Sequence, residues 1–541
     1  MKKLLLLLLP ALSVLLCGGC GKRFSDADAG VRDQVLLFGN GDEPKDIDPH
    51  TVTGVPENHI ISALIEGLIN YHLTDDNQPE PGVAERWTAT ENYSVWTFYL
   101  RKNAVWSNGD PVTAQDFVFS WERMLNPALA AEYAEQLYVL DKATEYNTGT
   151  IKDFSQVGVK AVDEHTLVVH LVGPTPYFLS MLQHYSWFPV HPGTIKKFGA
   201  ETNRATGWTR VGNFVGNGPF QLKEWTVNQV IRVTRSPTYW DAANVRLNEI
   251  RFYAIQNAVA EETAFANGQL HITNEVKSDN IRVWRQQHSD KLRIEPYLGT
   301  YFYRLNLTRP PFDDVRVRKA LNLAIDRQQL VDRVVLGGQR PALGFTPEGM
   351  LGYPTPKILS YDPARARALL AEAGFPDGKG FPVKEILFNS TENHKKIAEA
   401  IQRMWNQNLG IDVSLVNQEW KVYIDNQQRM SYDISRSGWI GDYMDPITFL
   451  SMWTTGNGNN NTGWSNTHFD ELIHAAKVAI TPELRYARLL EAENILLDEL
   501  PFVNLYWYSR INLVDTRVKN WYPKLLDNRP WKYIFLEAES H

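Results

Sequence analysis

The chain has only two cysteines in 541 residues, Cys17 and Cys20. Beyond residue 20 this excludes a disulfide framework, a thiolate metal site and a cysteine nucleophile. A strong excess of one charge is lacking too: 55 Lys and Arg stand against 62 Asp and Glu, a net charge of -7 with no long basic run. That argues against nucleic acid as a partner. Past Leu16 no apolar run approaches the roughly 20 residues of a membrane span. Catalytic signatures are missing: no HExxH, no GxSxG and no P-loop. Asp46-Ile-Asp48 hints at a calcium loop, but Thr51 stands where that loop needs glycine. The 13 histidines are scattered, and His165 and His170, which bracket a strand, read as structural. No enzyme, cofactor or metal is expected.

What is present begins at the N-terminus. Lys2 and Lys3 precede the apolar stretch Leu4 to Leu16, then Cys17-Gly-Gly-Cys20. A basic head and an apolar core of about 13 residues fit an export signal. Gly18-Gly19-Cys20 resembles a bacterial lipobox, so residues 1–19 read as a signal peptide and Cys20 as the lipid-bearing residue. Cys17 and an unlipidated signal are the alternatives. Residues 20–33 are polar and read as a tether.

Helix and strand signals then intermix. Val95 to Leu100 and Thr166 to Leu171 read as strands, and Thr113 to Leu125 as a helix opened by a capping box with Asp116. Asp314 to Val335 reads as one long amphipathic helix. Asp362 to Gly374 and Thr391 to Gly410 each carry a start residue and a glycine stop, and Ile411 to Leu415 alternates as a strand. Aromatics are abundant, with 17 Trp; most must pack a core, and a minority can line a cleft.

One stretch stands apart, Gly438-Trp-Ile-Gly-Asp-Tyr-Met-Asp-Pro446. Asp445 before Pro446 looks like a helix N-cap. Asp442, between Gly441 and Tyr443, has no such role. A carboxylate among aromatics is costly unless a cation meets it; the alternative is a turn aspartate bonded to its own loop.

Several stretches resemble the family-5 extracellular solute-binding proteins of bacterial ABC importers: Trp96 to Val118, Asn217-Gly-Pro-Phe220, Arg235 to Trp240, Asp314 to Leu321 and Gly438 to Tyr443. Leu415 to Trp420, with Asn389 and His394, places the resemblance in the oligopeptide-binding branch. It implies an α/β, two-lobed periplasmic-binding-protein type II fold with an extra domain on one lobe. The expected division is lobe I at residues 34–65, 198–298 and 510–541, the extra domain at 66–197 and lobe II at 299–509.

The resemblance also implies that Asp442 receives the free α-ammonium of a peptide, whose backbone lies along Gly438, Trp439 and Ile440 as an added strand. Gly438 and Gly441 would keep side chains out of its way. Arg436 is expected to meet a ligand carboxylate or, alternatively, to pair with Asp433 or Asp442. His394 and Asn389 would lie near the ligand's far end, Trp420 and Tyr133 would form aromatic walls, and Val55 would offer a backbone contact. Thr53, Val335 and Gln427 replace charged family positions, and Gly299 and Ile440 replace a cysteine pair. The implied protein is an exported, lipid-anchored and monomeric receptor on the extracytoplasmic face. It would pass oligopeptides to membrane permease subunits. A receptor for a cell-wall peptide or another amine-bearing solute is the alternative, and an extracytoplasmic hydrolase is the rival from another class.

Overall fold

A computed structural model describes residues 25–348, 350, 352–479 and 481–538. Residues 1–19, expected to be a signal peptide, and Cys20 lie outside the described residues.

The tether reading fails from Ser25 onward. Ser25 caps a helix, Asp26–Asp33, and Asp28 completes a capping box. The helix is docked. Ala27 is fully buried and donates its N–H to Gly268 O, while Asp28 meets Arg517 at 2.6 Å. Gly30 lies so close to Val35 and the His271 ring that no side chain fits there. Alternating small residues and a paired carboxylate thus make a folded element of a polar stretch.

Three sheets carry the architecture. Val35–Gly39 and Glu249–Tyr253 pair in parallel and continue antiparallel through Val230–Arg235 to Phe220–Thr226. A separate four-stranded antiparallel sheet is built from Ala84–Ala89, Val95–Leu100, Thr166–His170 and Val159–Asp163, and the helix Ala114–Leu125 belongs to the same part of the chain. The third sheet runs in the order Arg340–Pro341, Phe502–Leu513, Leu292–Leu305, Ile434–Ile440, Lys384–Asn389, Val413–Gln418. Its helices, Val315–Leu323 and Glu392–Leu409 among them, bury a second core with Trp405 at its centre. This is the mixed α/β fold the resemblance implies.

Two long strands tie the halves together. Leu292–Leu305 and Phe502–Leu513 pair antiparallel from Leu292↔Leu513 to Arg304↔Phe502. One end is bonded into the first half, where Thr273 N–H meets Leu513 O. The register breaks between Pro296 and Thr300, and the expected lobe boundaries at 298/299 and 509/510 fall inside these strands. Gly299 and Ile440 are direct cross-strand partners, and the Ile440 side chain occupies the place of a Cβ at Gly299.

Other sequence readings meet mixed outcomes. Helices Pro363–Glu372 and Glu392–Leu409 start on Asp362 and Thr391, and Gly374 and Gly410 adopt positive φ at their ends. The long helix over 314–335 is broken: Val315–Leu323 ends, Asp326 caps Arg327–Leu330, and Val331–Val335 is a π-turn. Arg327 stands at the interruption. Its buried guanidinium donates to Asn322 O and Asn504 O, consuming a carbonyl at the helix end. Asp48 takes no part in a calcium loop; Arg123 grips it through two nitrogens at 3.0 and 2.6 Å.

Candidate functional site

A cavity of about 250 Å³ lies between the two halves. Residues from both close over it. Lys45 pairs with Asp425 at 2.7 Å, Gln428 donates to Glu132 at 3.0 Å, and Ser278 donates to Asn393 at 2.7 Å. Trp420 Nε1 donates to Glu57 Oε1 at 3.3 Å.

The strand Ile434–Ile440 forms one wall. Along one edge it pairs with Leu292–Leu305 over its whole length. Along the other it meets Lys384–Asn389 only at Ile434 and Ser435. From Ser437 to Ile440 that second edge carries no strand among the described residues, and these residues line the cavity. An open strand edge is a template for another backbone.

Asp442 stands at the end of this edge, 8% exposed. The Tyr133 phenol donates to Oδ1 at 3.1 Å, and the Thr448 hydroxyl donates to Oδ2 at 3.0 Å. The backbone N–H of Asp442 in turn donates to Thr448 Oγ1, so the aspartate does bond its own loop. That does not neutralise it. No Lys or Arg head group lies within ion-pair distance among the described residues. His184 Nε2 is 3.5 Å away, but burial holds that ring neutral, with its pKa pushed down to about 3. Burial first, and the nearby Glu135 carboxylate, push Asp442 up to about 8. The site therefore holds a carboxyl group poised for a cation.

Asp445 has both a local and a long-range role. Its Oδ1 accepts from Ile447 N–H at the start of a short helix, and Arg485 grips both oxygens at 2.6 and 2.7 Å.

The structure corrects the glycine reading at 438. A Cβ there would sit 2.5 Å from the Tyr508 hydroxyl, so the missing side chain makes room for Tyr508 and not for a ligand. Tyr508 then accepts from Arg436 Nη2 at 2.9 Å. At Gly441 a Cβ would press on Leu298 and Phe449.

Arg436 pairs with neither Asp433 nor Asp442. Its Nη1 donates to Asn389 Oδ1 at 3.2 Å, its guanidinium lies 4.9 Å from the Tyr301 ring centre, and Nε has no partner. His394 lines the cavity beside it, hydrogen-bonded to the Tyr301 hydroxyl at 3.2 Å. Burial and the Arg436 charge push the His394 pKa far down, so the ring is neutral. Arg436, His394 and Asn389 are thus brought together on one part of the cavity wall. Val55, Tyr133 and Trp420 also line the cavity. Trp439 packs 6.1 Å from Tyr133, and its indole donates to Thr448 O at 2.8 Å. Gln427 is buried and spent on Tyr423, Ser435 and the Arg436 carbonyl, and Val335 is core.

Sequence reasoning missed several lining residues. Asp42 follows the first strand, is 8% exposed, and its Oδ1 has no partner. Burial first, then Glu275 and Glu57, push it up to about 7. The Asn40-Gly41 turn signal after a strand could have flagged it. Arg304 interrupts the run Tyr301-Phe-Tyr-Arg-Leu305, and a charge inside an otherwise buried strand was the available signal.

The family model for bacterial extracellular solute-binding proteins, family 5 (Middle), matches residues 78–461. The periplasmic oligopeptide-binding protein OppA of Escherichia coli (strain K12) is 38% identical over 506 residues, covering 91% of this chain and 90% of OppA. The crystal structure of Haemophilus influenzae OppA in complex with RPPGFSPFR is 34% identical and superposes with a TM-score of 0.88, covering 93% of this chain and 99% of that one. The unliganded open form of the periplasmic murein tripeptide-binding protein MppA is equally similar in sequence, at 34%, and covers 93% of this chain and 97% of its own. Its TM-score is only 0.60. At equal identity the chain thus superposes better on the peptide complex than on the open form.

Proposed function

The chain belongs to the bacterial extracellular solute-binding proteins, family 5, and from that premise we propose that it captures oligopeptides by their backbone and free N-terminal amine and delivers them to an ABC importer. One observation carries this reading. A buried carboxyl without a cation, Asp442, closes the end of an unpaired strand edge inside the cleft. A peptide supplies both missing partners at once. Its α-ammonium meets Asp442 in a desolvated, charge-assisted bond, and its main chain pairs with Ser437 to Ile440. Arg436, His394 and Asn389 receive the far end, Trp420 and Tyr133 wall the ligand, and Val55 offers a backbone contact.

Reading the main chain leaves ligand side chains to the cavity walls. The protein acts as a carrier with no catalytic step, works as a monomer, and is held on the extracytoplasmic face by a lipid at Cys20. Incubation of the purified protein with a defined peptide mixture tests this. Intact peptides recovered from the complex by mass spectrometry are the expected result; cleaved peptides would overturn the carrier reading in favour of a hydrolase. Selective recovery of the murein tripeptide from a mixture containing it would move the cargo to cell-wall peptides.

A further inference from the structure

The buried arginines of this protein are nearly all satisfied. Arg123 holds Asp48, Arg485 holds Asp445, Arg510 holds Asp527 and Arg529 holds Glu295, at 2.6 to 2.8 Å. Arg318 and Arg327 lack carboxylates, but each donates to three backbone carbonyls. Arg304 has neither kind of shell. It is 3% exposed and lines the central cavity. Its Nε donates to Ser437 Oγ at 3.1 Å and Nη1 to Asn459 O at 2.6 Å. Among the described residues Nη2 donates to nothing, and no carboxylate lies within ion-pair distance. The rings of Phe302 and Trp453 lie 5.5 and 5.8 Å from the guanidinium. Burial pulls the Arg304 pKa down, opposed only by tyrosines. An uncompensated guanidinium in an apolar surround is costly to keep; a ligand carboxylate would offset that cost.

Position decides which carboxylate. Arg304 stands opposite Ser435 in the strand pairing, and its head group reaches Ser437, where the open edge begins. Asp442 closes the other end of that edge. A peptide held at Asp442 by its ammonium therefore runs its next side chains toward Arg304. The acidic groups at the far end, Asp42 and Glu275, face Arg436. We propose, resting on the peptide-carrier reading above, that Arg304 is a specificity residue that holds an acidic side chain of the bound peptide near its free N-terminus.

The test uses calorimetry with Ala-Glu-Ala-Ala, its Gln and Lys counterparts, and the same set substituted at the third position. All share one free C-terminus, so the Glu-to-Gln ratio isolates the side-chain carboxylate. The parent is expected to favour Glu over Gln by about tenfold or more at one of the two positions, as a charge-assisted bond replaces a neutral one. Arg304→Gln brings the ratio close to one, Arg304→Lys keeps a preference, and Arg304→Glu turns it toward Lys. A parent ratio near one, or a preference for Lys, overturns the proposal without any variant having to fold. So does a ratio that survives in Arg304→Gln. Equal losses for Glu and Gln peptides in that variant would assign Arg304 to the terminal carboxylate and overturn the side-chain role. If no peptide binds the parent, the carrier reading falls and this proposal with it.

Discussion

The Tyr133 phenol donates to Asp442 Oδ1 across 3.1 Å, and the two residues, more than 300 positions apart in sequence, both line the cavity. Removing the cargo's ammonium or removing the carboxylate's charge therefore attacks the same arrangement from two sides.

Asp442→Asn keeps the shape and deletes the charge. Loss of one partner of a desolvated charged pair costs about 2–5 kcal/mol, and affinity for a peptide with a free amine is expected to fall by roughly 30-fold to several thousand-fold. An N-acetylated peptide is expected to bind the parent poorly and to lose little more in the variant, so the double-mutant cycle is far from additive. Calorimetry with both peptides on both proteins decides. Equal binding of free and acetylated peptide by the parent would remove the ammonium role from Asp442.

Proton traffic gives an independent check. With Asp442 near 8 in the closed arrangement before a ligand enters and a peptide amine near 7.7–8.0, both groups carry protons at pH 6, whereas the ion pair keeps only one. Binding at pH 6 is expected to release about one proton, and binding well above pH 8 to take up about one, with the sign changing near pH 8. Calorimetry in buffers of different ionisation enthalpy measures this. A proton count near zero at pH 6 would mean an already ionised carboxylate.

The same shift sets a stability profile. The folded-state pKa lies above the unfolded value near 3.9, so the stabilisation is present in full below about pH 4 and is lost as pH rises through about 8. Ligand-free protein is expected to melt at a lower temperature at pH 8.5 than at pH 5. Asp442→Asn is expected to lose less over that window, while Asp42 and Glu261, at about 7 and 8, keep part of the slope. Identical profiles for parent and variant would contradict the shift.

Gly299 and Ile440 face each other across antiparallel strands, where Cα atoms are about 4.5–5.5 Å apart, within disulfide range. The double variant Gly299→Cys, Ile440→Cys is expected to oxidise without a catalyst and to gain about 2–4 kcal/mol over its reduced form. Two free thiols on titration would point to a different strand register.

For the proposed anchor, Cys20→Ser is expected to abolish lipid labelling and release the protein from the membrane fraction. Labelling lost instead in Cys17→Ser would move the site.

Much of the scaffold was legible because its signals are local. Capped helices with glycine stops, and aromatic strands such as Val95–Leu100, announce themselves within a dozen residues. The break after Leu323 was not legible, since it accompanies Arg327 reaching carbonyls near residues 322 and 504. The docked helix at 26–33 was missed for a similar reason: its partners, Gly268, His271 and Arg517, are more than 200 residues away. At the site, the Gly438-to-Tyr443 stretch pointed to Asp442 because a buried carboxylate raises its own question. Arg304 and Asp42 stayed hidden because isolation from countercharge is a property of the surroundings, which only folding assembles. Gly438 shows the converse: its meaning lay in Tyr508, seventy residues on.

The unpaired edge from Ser437 to Ile440 has a further consequence. A bare row of amide and carbonyl groups attracts any extended chain, including another copy of this protein. In the closed arrangement that row faces the interior cavity, out of reach of a second molecule. An opened, empty receptor bares it, and cargo then serves as a plug as well as a payload. Concentrated protein stripped of peptide should self-associate sooner than loaded protein, and light scattering before and after peptide addition would register the difference.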